Sequence, residues 1–271
     1  SWLYTELPFL QRVRACAEDG FRHAECMFPY EFKATELRRT ADSEGVQWVL
    51  INAPAGHWEH GDRGLAADAG RRQEFRDAIC MARDFALELK VGKVHVLAGL
   101  LPAGESNSSD SAWACYEDNL AWLAETMAEH PIRWLIEPIN QFDMPGYLLS
   151  SQKTAHDLVQ RLNKPNLGVQ MDLYHCQRTE GDALDALARY VPTGRVGHLQ
   201  IAGVPHRNEP DSAETPPGGL DYGLVFRQLQ HLGYDGHIGC EYRPKGSTRD
   251  GLGWLRRTGF SGTMEGLKPW A

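Results

Sequence analysis

Apolar residues along this chain fall into two alternating patterns. Short unbroken runs, such as Trp48-Val49-Leu50-Ile51 and Trp134-Leu135-Ile136, are what a parallel strand buried on both faces requires. Between them lie longer stretches in which apolar residues recur every three or four positions, as on a helix with one face against a core. Phe75, Ile79, Ala82 and Ala86 mark one such face; Leu7, Leu10 and Val13 mark another. The pattern predicts strands at 23–28, 47–52, 93–97, 132–137, 167–171, 196–201 and 236–241. It predicts helices around 7–16 and at 36–45, 71–89, 112–129, 151–162, 183–190, 222–232 and 251–258. Gly45 is placed to end the second helix, and Ser150 or Ser151 to cap the fifth. Three long loops, 53–70, 99–110 and 204–220, are of a length that is usually functional.

Strands alternating with helices define a parallel α/β fold. No break in composition suggests a linker, so residues 1–271 are expected to form a single domain. A (β/α)₈ TIM barrel takes eight strands over roughly 250 residues, and seven are visible here. Because the first helix has no strand before it, the first barrel strand is expected upstream of Ser1 and missing from the numbered chain. A doubly wound open sheet is the alternative. It would announce itself with a glycine-rich turn after a strand, and the chain has none.

Composition narrows the class. The formal net charge of −8 disfavours a nucleic-acid partner. The six cysteines are scattered, with no CxxC spacing, as expected of a reduced, cytoplasmic chain. No apolar run is long enough to span a membrane, and no signal peptide is expected. A small molecule is the expected partner, with room for a homo-oligomer.

The chemistry gathers where strands end. Glu137, Asp172, Gln200 and Glu241 each stand where a predicted strand stops, and Asn52 and His95 occupy similar positions. In a barrel those ends converge on one mouth, where active sites sit. Any one acid there could be an ordinary salt-bridged residue. Glutamates closing several buried strands are harder to explain by packing, since isolated buried carboxylates are costly. Acids gathered at one mouth repel unless a cation neutralises them, so a metal is expected. Three carboxylates and an amide offer only oxygen, which suits magnesium or manganese. His175, three residues past Asp172, is expected to contact substrate rather than metal. Asn52 and His95 are further substrate-side candidates, although His95 could equally be a hydrogen-bonded core histidine. Glu25 is expected as structural support, and Trp2 and Trp58 could wall the pocket.

The runs NAPAG (52–56), HVLAGLLPAGE (95–105), LIEPIN (135–140), MDLYH (171–175), HLQIAGVPHRNEP (198–210) and GCEYRPKG (239–246) resemble the hydroxypyruvate isomerase family. That family belongs to the xylose-isomerase-like (β/α)₈ barrels, and the resemblance covers essentially the whole chain. It implies a divalent-metal site at Glu137, Asp172, Gln200 and Glu241, with Glu137 and Glu241 as the acid/base pair. It also implies that His175 and Arg207 contact the substrate.

The implied reaction is an aldose–ketose shift on a short hydroxy-oxo acid, converting hydroxypyruvate to tartronate semialdehyde by proton transfer through an enediolate. Two carboxylates suit it, because each acts as base in one direction and acid in the other. Arg207, Arg71 and Lys245 are the candidate cations for the substrate carboxylate. Within the same chemistry the substrate could be a 2-oxo-tetronate, or a keto sugar undergoing 3-epimerisation. An abasic-site DNA endonuclease is a more distant alternative on the same barrel. It would want more histidine ligands and a basic face. A non-catalytic sugar-acid binder would differ by showing no turnover.

Overall fold

The computed structural model describes residues 2–101, 110–211 and 218–258. The Ser- and Asn-rich end of the second long loop and the middle of the third lie outside those residues. Seven parallel strands pair in chain order. They are β1 (His23–Cys26), β2 (Gln47–Asn52), β3 (Lys93–His95), β4 (Arg133–Ile136), β5 (Leu167–Asp172), β6 (Val196–Ile201) and β7 (Ile238–Cys240). The helices between them are α1 (Phe9–Glu18), α2 (Ala34–Glu44), α3 (Arg72–Leu89), α4 (Asp110–Thr126), α5 (Gln152–Leu162), α6 (Leu173–Glu180), α7 (Ala183–Tyr190) and α8 (Tyr222–His231). Two four-residue helices, α9 (Thr248–Gly251) and α10 (Trp254–Arg257), follow β7. This is a nearly closed TIM barrel, as the alternation of patterns predicts.

The period-two geometry of a strand divides each one between two environments. In β5, Leu167, Val169 and Met171 join the apolar layer between sheet and helices. Gly168, Gln170 and Asp172 take the other face, toward the barrel axis. Gly168 has no room for a side chain, because a Cβ there would meet the Arg133 guanidinium and the Arg195 carbonyl. Burying the apolar layer supplies the main drive for folding, at roughly 25 cal/mol per Å².

Caps follow the sequence. Gly45 ends α2 in the left-handed conformation, with φ 65°. The Ser151 hydroxyl accepts the Thr154 N–H at the start of α5. Two elements differ from expectation. Helix α6 is not visible as an apolar period, and the helix expected at 251–258 is two short pieces separated at Gly253.

Among the described residues no ladder joins β7 to β1. Side chains meet there instead. The His23 and His237 rings lie 4.4 Å apart, and Gly239 faces the Glu25 carboxylate. Further out, Arg249 pairs with Glu18 and Asp19, and the Thr248 hydroxyl accepts the Tyr4 N–H. All six cysteines are free. No helix among the described residues is long and apolar enough to cross a membrane.

Candidate active site

Strand ends carry the expected residues to one mouth. Asp172 ends β5 and Gln200 lies near the end of β6; Glu137 and Glu241 come directly after β4 and β7. Glu137, Asp172 and Gln200 are fully buried, and the Glu241 side chain is 13% exposed. Ligand atoms of Glu137, Asp172 and His175 lie within 4.8 Å of one another. Glu137 Oε1 is buried without a hydrogen-bond partner.

Arg207 supplies the positive charge at this centre. Its Nη2 lies 3.2 Å from Asp172 Oδ2 and 2.6 Å from Glu241 Oε2, and its Nη1 is 3.6 Å from Asp143 Oδ2. The guanidinium lies over the Trp2 and Tyr174 rings, at 4.6 and 5.1 Å from the centroids. The backbone of Arg207 adopts φ 57°, a left-handed conformation that a side chain disfavours. Backbone bonds hold it there: its N–H donates to Gly203 and its carbonyl accepts from Arg243. Burial works against the Arg207 charge, but Glu241, Asp172 and Glu137 outweigh it and strengthen the group's hold on its proton.

One arginine does not balance three acids. Burial, then the neighbouring Glu241 and Asp172, push the Glu137 carboxyl well above its ordinary range. Burial also raises Glu241, to about 7, against the pull of Arg207. Asp172 is raised by burial too, although Arg207 and two backbone N–H groups favour its ionised form. Carboxyls raised by burial, and further by one another, are what a second cation would relieve.

His175 is neutral here, because burial and then Arg207 hold its pKa well below the usual value. Its tautomer follows from Asn140. The Asn140 Oδ1 accepts the N–H groups of Phe142 and Asp143, so its Nδ2 faces Asp143 and His175. That nitrogen lies 2.6 Å from His175 Nδ1, which the Asn140 N–H also approaches. Nδ1 therefore accepts, and the ring proton sits on Nε2, 3.6 Å from Asp172 Oδ2. With its proton on Nε2 the ring is a donor into the site.

His95 lies 3.4 Å from Glu137, and burial lowers its pKa to about 3. Asn52 ends β2, where its carbonyl accepts the Tyr30 hydroxyl. Arg71 is tied to Asp62 and Glu74, and Lys245 is exposed, so neither enters this cluster as Arg207 does. Trp2 joins the cluster through Arg207; Trp58 instead lies under the Arg63 guanidinium and packs against Phe28 at a tilt.

Sequence reading placed Glu25 as structural support but missed Gln170 and His198, the other polar residues beneath the acids. Gln170 Nε2 donates to both Glu137 Oε2 and Gln200 Oε1, at 2.9 and 2.7 Å. Glu25 takes the Nε2 groups of His198 and Gln200, at 2.6 and 2.8 Å. Burial opposes the Glu25 charge, yet these bonds hold its carboxyl below the ordinary range. The available signal was the strand period. Gln170 and His198 stand two residues before Asp172 and Gln200, on the same face.

Comparison with known proteins fits this geometry. The family described as Xylose isomerase-like TIM barrel matches residues 13–258. The 2-oxo-tetronate isomerase of Cupriavidus necator is 45% identical over 256 residues, covering 94% of this chain and 95% of that protein. The hydroxypyruvate isomerase of Escherichia coli is 38% identical over 255 residues, again 94% and 95%. Among solved structures, one titled AP endonuclease, family 2, from Brucella melitensis superposes with a TM-score of 0.88 at 40% identity, covering 95% of this chain and 96% of that one. The chain belongs to the xylose-isomerase-like TIM barrel family. It is an isomerase.

Proposed function

We propose that this isomerase interconverts hydroxypyruvate and tartronate semialdehyde, with a four-carbon 2-oxo-tetronate as the second reading. The observation that carries it is the convergence of Glu137, Asp172, Gln200 and Glu241 on one buried mouth beside Arg207. The names of the relatives supply both substrates, which differ by one hydroxylated carbon.

The donor set fits a divalent cation. Glu137, Asp172, Gln200 and Glu241 would hold it, and the oxygen-only set favours magnesium or manganese. The unpartnered Glu137 Oε1 and the raised acids are what such an ion would satisfy. When bound, it would polarise the substrate carbonyl as a Lewis acid.

The protein's own groups carry the protons. One of Glu137 and Glu241 takes a proton from the hydroxymethyl carbon, leaving an enediolate. The other delivers a proton to the former carbonyl carbon, while the hydroxyl proton passes between the two oxygens. Arg207 pairs with the substrate carboxylate, and the Nε2–H of His175 donates to a substrate oxygen. His95 stays neutral beside Glu137 and adds no competing charge.

The endonuclease reading has one titled structure in its favour. The net charge of −8 opposes it, as does the single metal-ligand cluster among the described residues. A panel of 2-oxo acids and keto sugars, run with and without chelator, tests the proposal. Turnover of hydroxypyruvate or 2-oxo-tetronate should vanish with chelator and return with magnesium or manganese. Full turnover in protein shown metal-free by elemental analysis would falsify the metal's part. Turnover of neither acid would defeat the substrate class.

A further inference from the structure

We propose that Glu25 is a positioning residue: from β1, across the barrel, it sets the direction of a hydrogen-bond chain that ends on Glu137. The inference rests on Glu137 carrying a proton in the reaction proposed above.

An ionised carboxylate can only accept hydrogen bonds. Glu25 Oε1 takes Gln200 Nε2 at 2.8 Å, and Oε2 takes His198 Nε2 at 2.6 Å. With the nitrogen of Gln200 committed to Glu25, its oxygen must face the other way. That oxygen receives Gln170 Nε2 at 2.7 Å, and the same nitrogen reaches Glu137 Oε2 at 2.9 Å. Gln170 Oε1 is left buried without a partner. An orphaned carbonyl is costly, so the arrangement is held by something stronger than the preference of either amide. Glu25 is that anchor. If a group able to donate stood in its place, both amides could turn over. Glu137 would then face an oxygen.

The consequence for the reaction is a choice of oxygen. Glu137 Oε2 is committed as acceptor from Gln170. Oε1 is the atom left for the metal and the substrate. The direction of the chain also presents Gln200 to the acids by its oxygen.

The test is a set of variants of the metal-loaded enzyme. Glu25→Gln keeps the shape but admits a donor. Gln170→Met cuts the chain downstream and leaves the Glu25–His198 pair intact. Each should lower kcat by roughly tenfold or more, the usual effect of losing an outer partner, with KM changed less than about threefold. The double variant should lose no more than the worse single one, because both break one chain. Glu25→Asp, still acceptor-only, should recover most of the rate. Normal kcat in Glu25→Gln, multiplying losses in the double variant, or Asp as damaging as Gln would each overturn the proposal. A second readout needs no activity. In metal-free wild type, the side-chain amide protons of Gln170 and Gln200 should exchange slowly with D₂O by NMR. Fast exchange overturns the chain. Wild type inactive on every 2-oxo acid would instead defeat the assigned reaction and leave this readout standing.

Discussion

Glu137 and Glu241 differ in their surroundings more than in their chemistry. Glu137 is the more deeply buried and the more strongly raised, whereas Glu241 shares its charge with Arg207. Changing either to Gln should lower turnover by at least roughly 10²-fold, the usual contribution of a general acid–base group. Metal content is measured beside turnover, because each change also removes a negative charge. Normal metal with near-native rates in both variants would sink the two-glutamate mechanism. A different residue shows how burial sets a pH response. His156 is buried against Tyr190 with ring centroids 3.9 Å apart, and burial lowers its pKa to about 4. The unfolded chain takes up that proton near pH 6.5 and the folded one does not. Its contribution to stability is therefore present above pH 6.5 and is lost as pH falls toward about 4. His156→Phe should flatten that acid limb by about one proton, or about 1.4 kcal/mol per pH unit. Urea unfolding across the range checks it; an unchanged slope refutes it.

Helix α6 begins on a residue of the site itself. The Asp172 Oδ1 caps it by accepting the Tyr174 N–H, while Oδ2 faces Arg207 and His175. Asn caps about as well as Asp, so Asp172→Asn should keep the helix and weaken metal binding. Asp172→Ala should lose both, melting lower by the equivalent of about 1 kcal/mol. Calorimetry of manganese binding and thermal melts separate the two effects; equal melting of both variants would contradict the cap. The same dual use explains why α6 was not legible. Leu173-Tyr174-His175-Cys176 carries no helical apolar period, since the segment serves the mouth and the core together. The strands were most legible where burial makes an unbroken apolar run, as in β2 and β4. The acids and Gln200 could be read from the ends of those runs. Arg207 came only from resemblance, and its place depends on a left-handed backbone no propensity predicts. Gln170 was hidden because one polar residue inside an apolar run looks like an interruption.

At the scale of the whole molecule, first and last strands meet through side chains. Gly239 of β7 is where that meeting is tightest. A Cβ built there would fall within 2.3–2.5 Å of the Glu25 carboxylate. A free side chain could swing aside, but His198 and Gln200 hold this one. Gly239→Ala should therefore lower both the melting temperature and kcat, although Gly239 is itself none of the four expected metal-site residues. Pairing it with Glu25→Asp, which draws the carboxylate back by one methylene, should restore part of both. No recovery in the double variant would show that the clash lies elsewhere. The pair has a meaning for descent. Positions 25 and 239 are far apart in the chain yet share one small volume, so neither is free to drift alone. Lineages of this barrel that keep a glutamate at the first should keep glycine at the second, and a larger residue at 239 should arise only where 25 has already shortened.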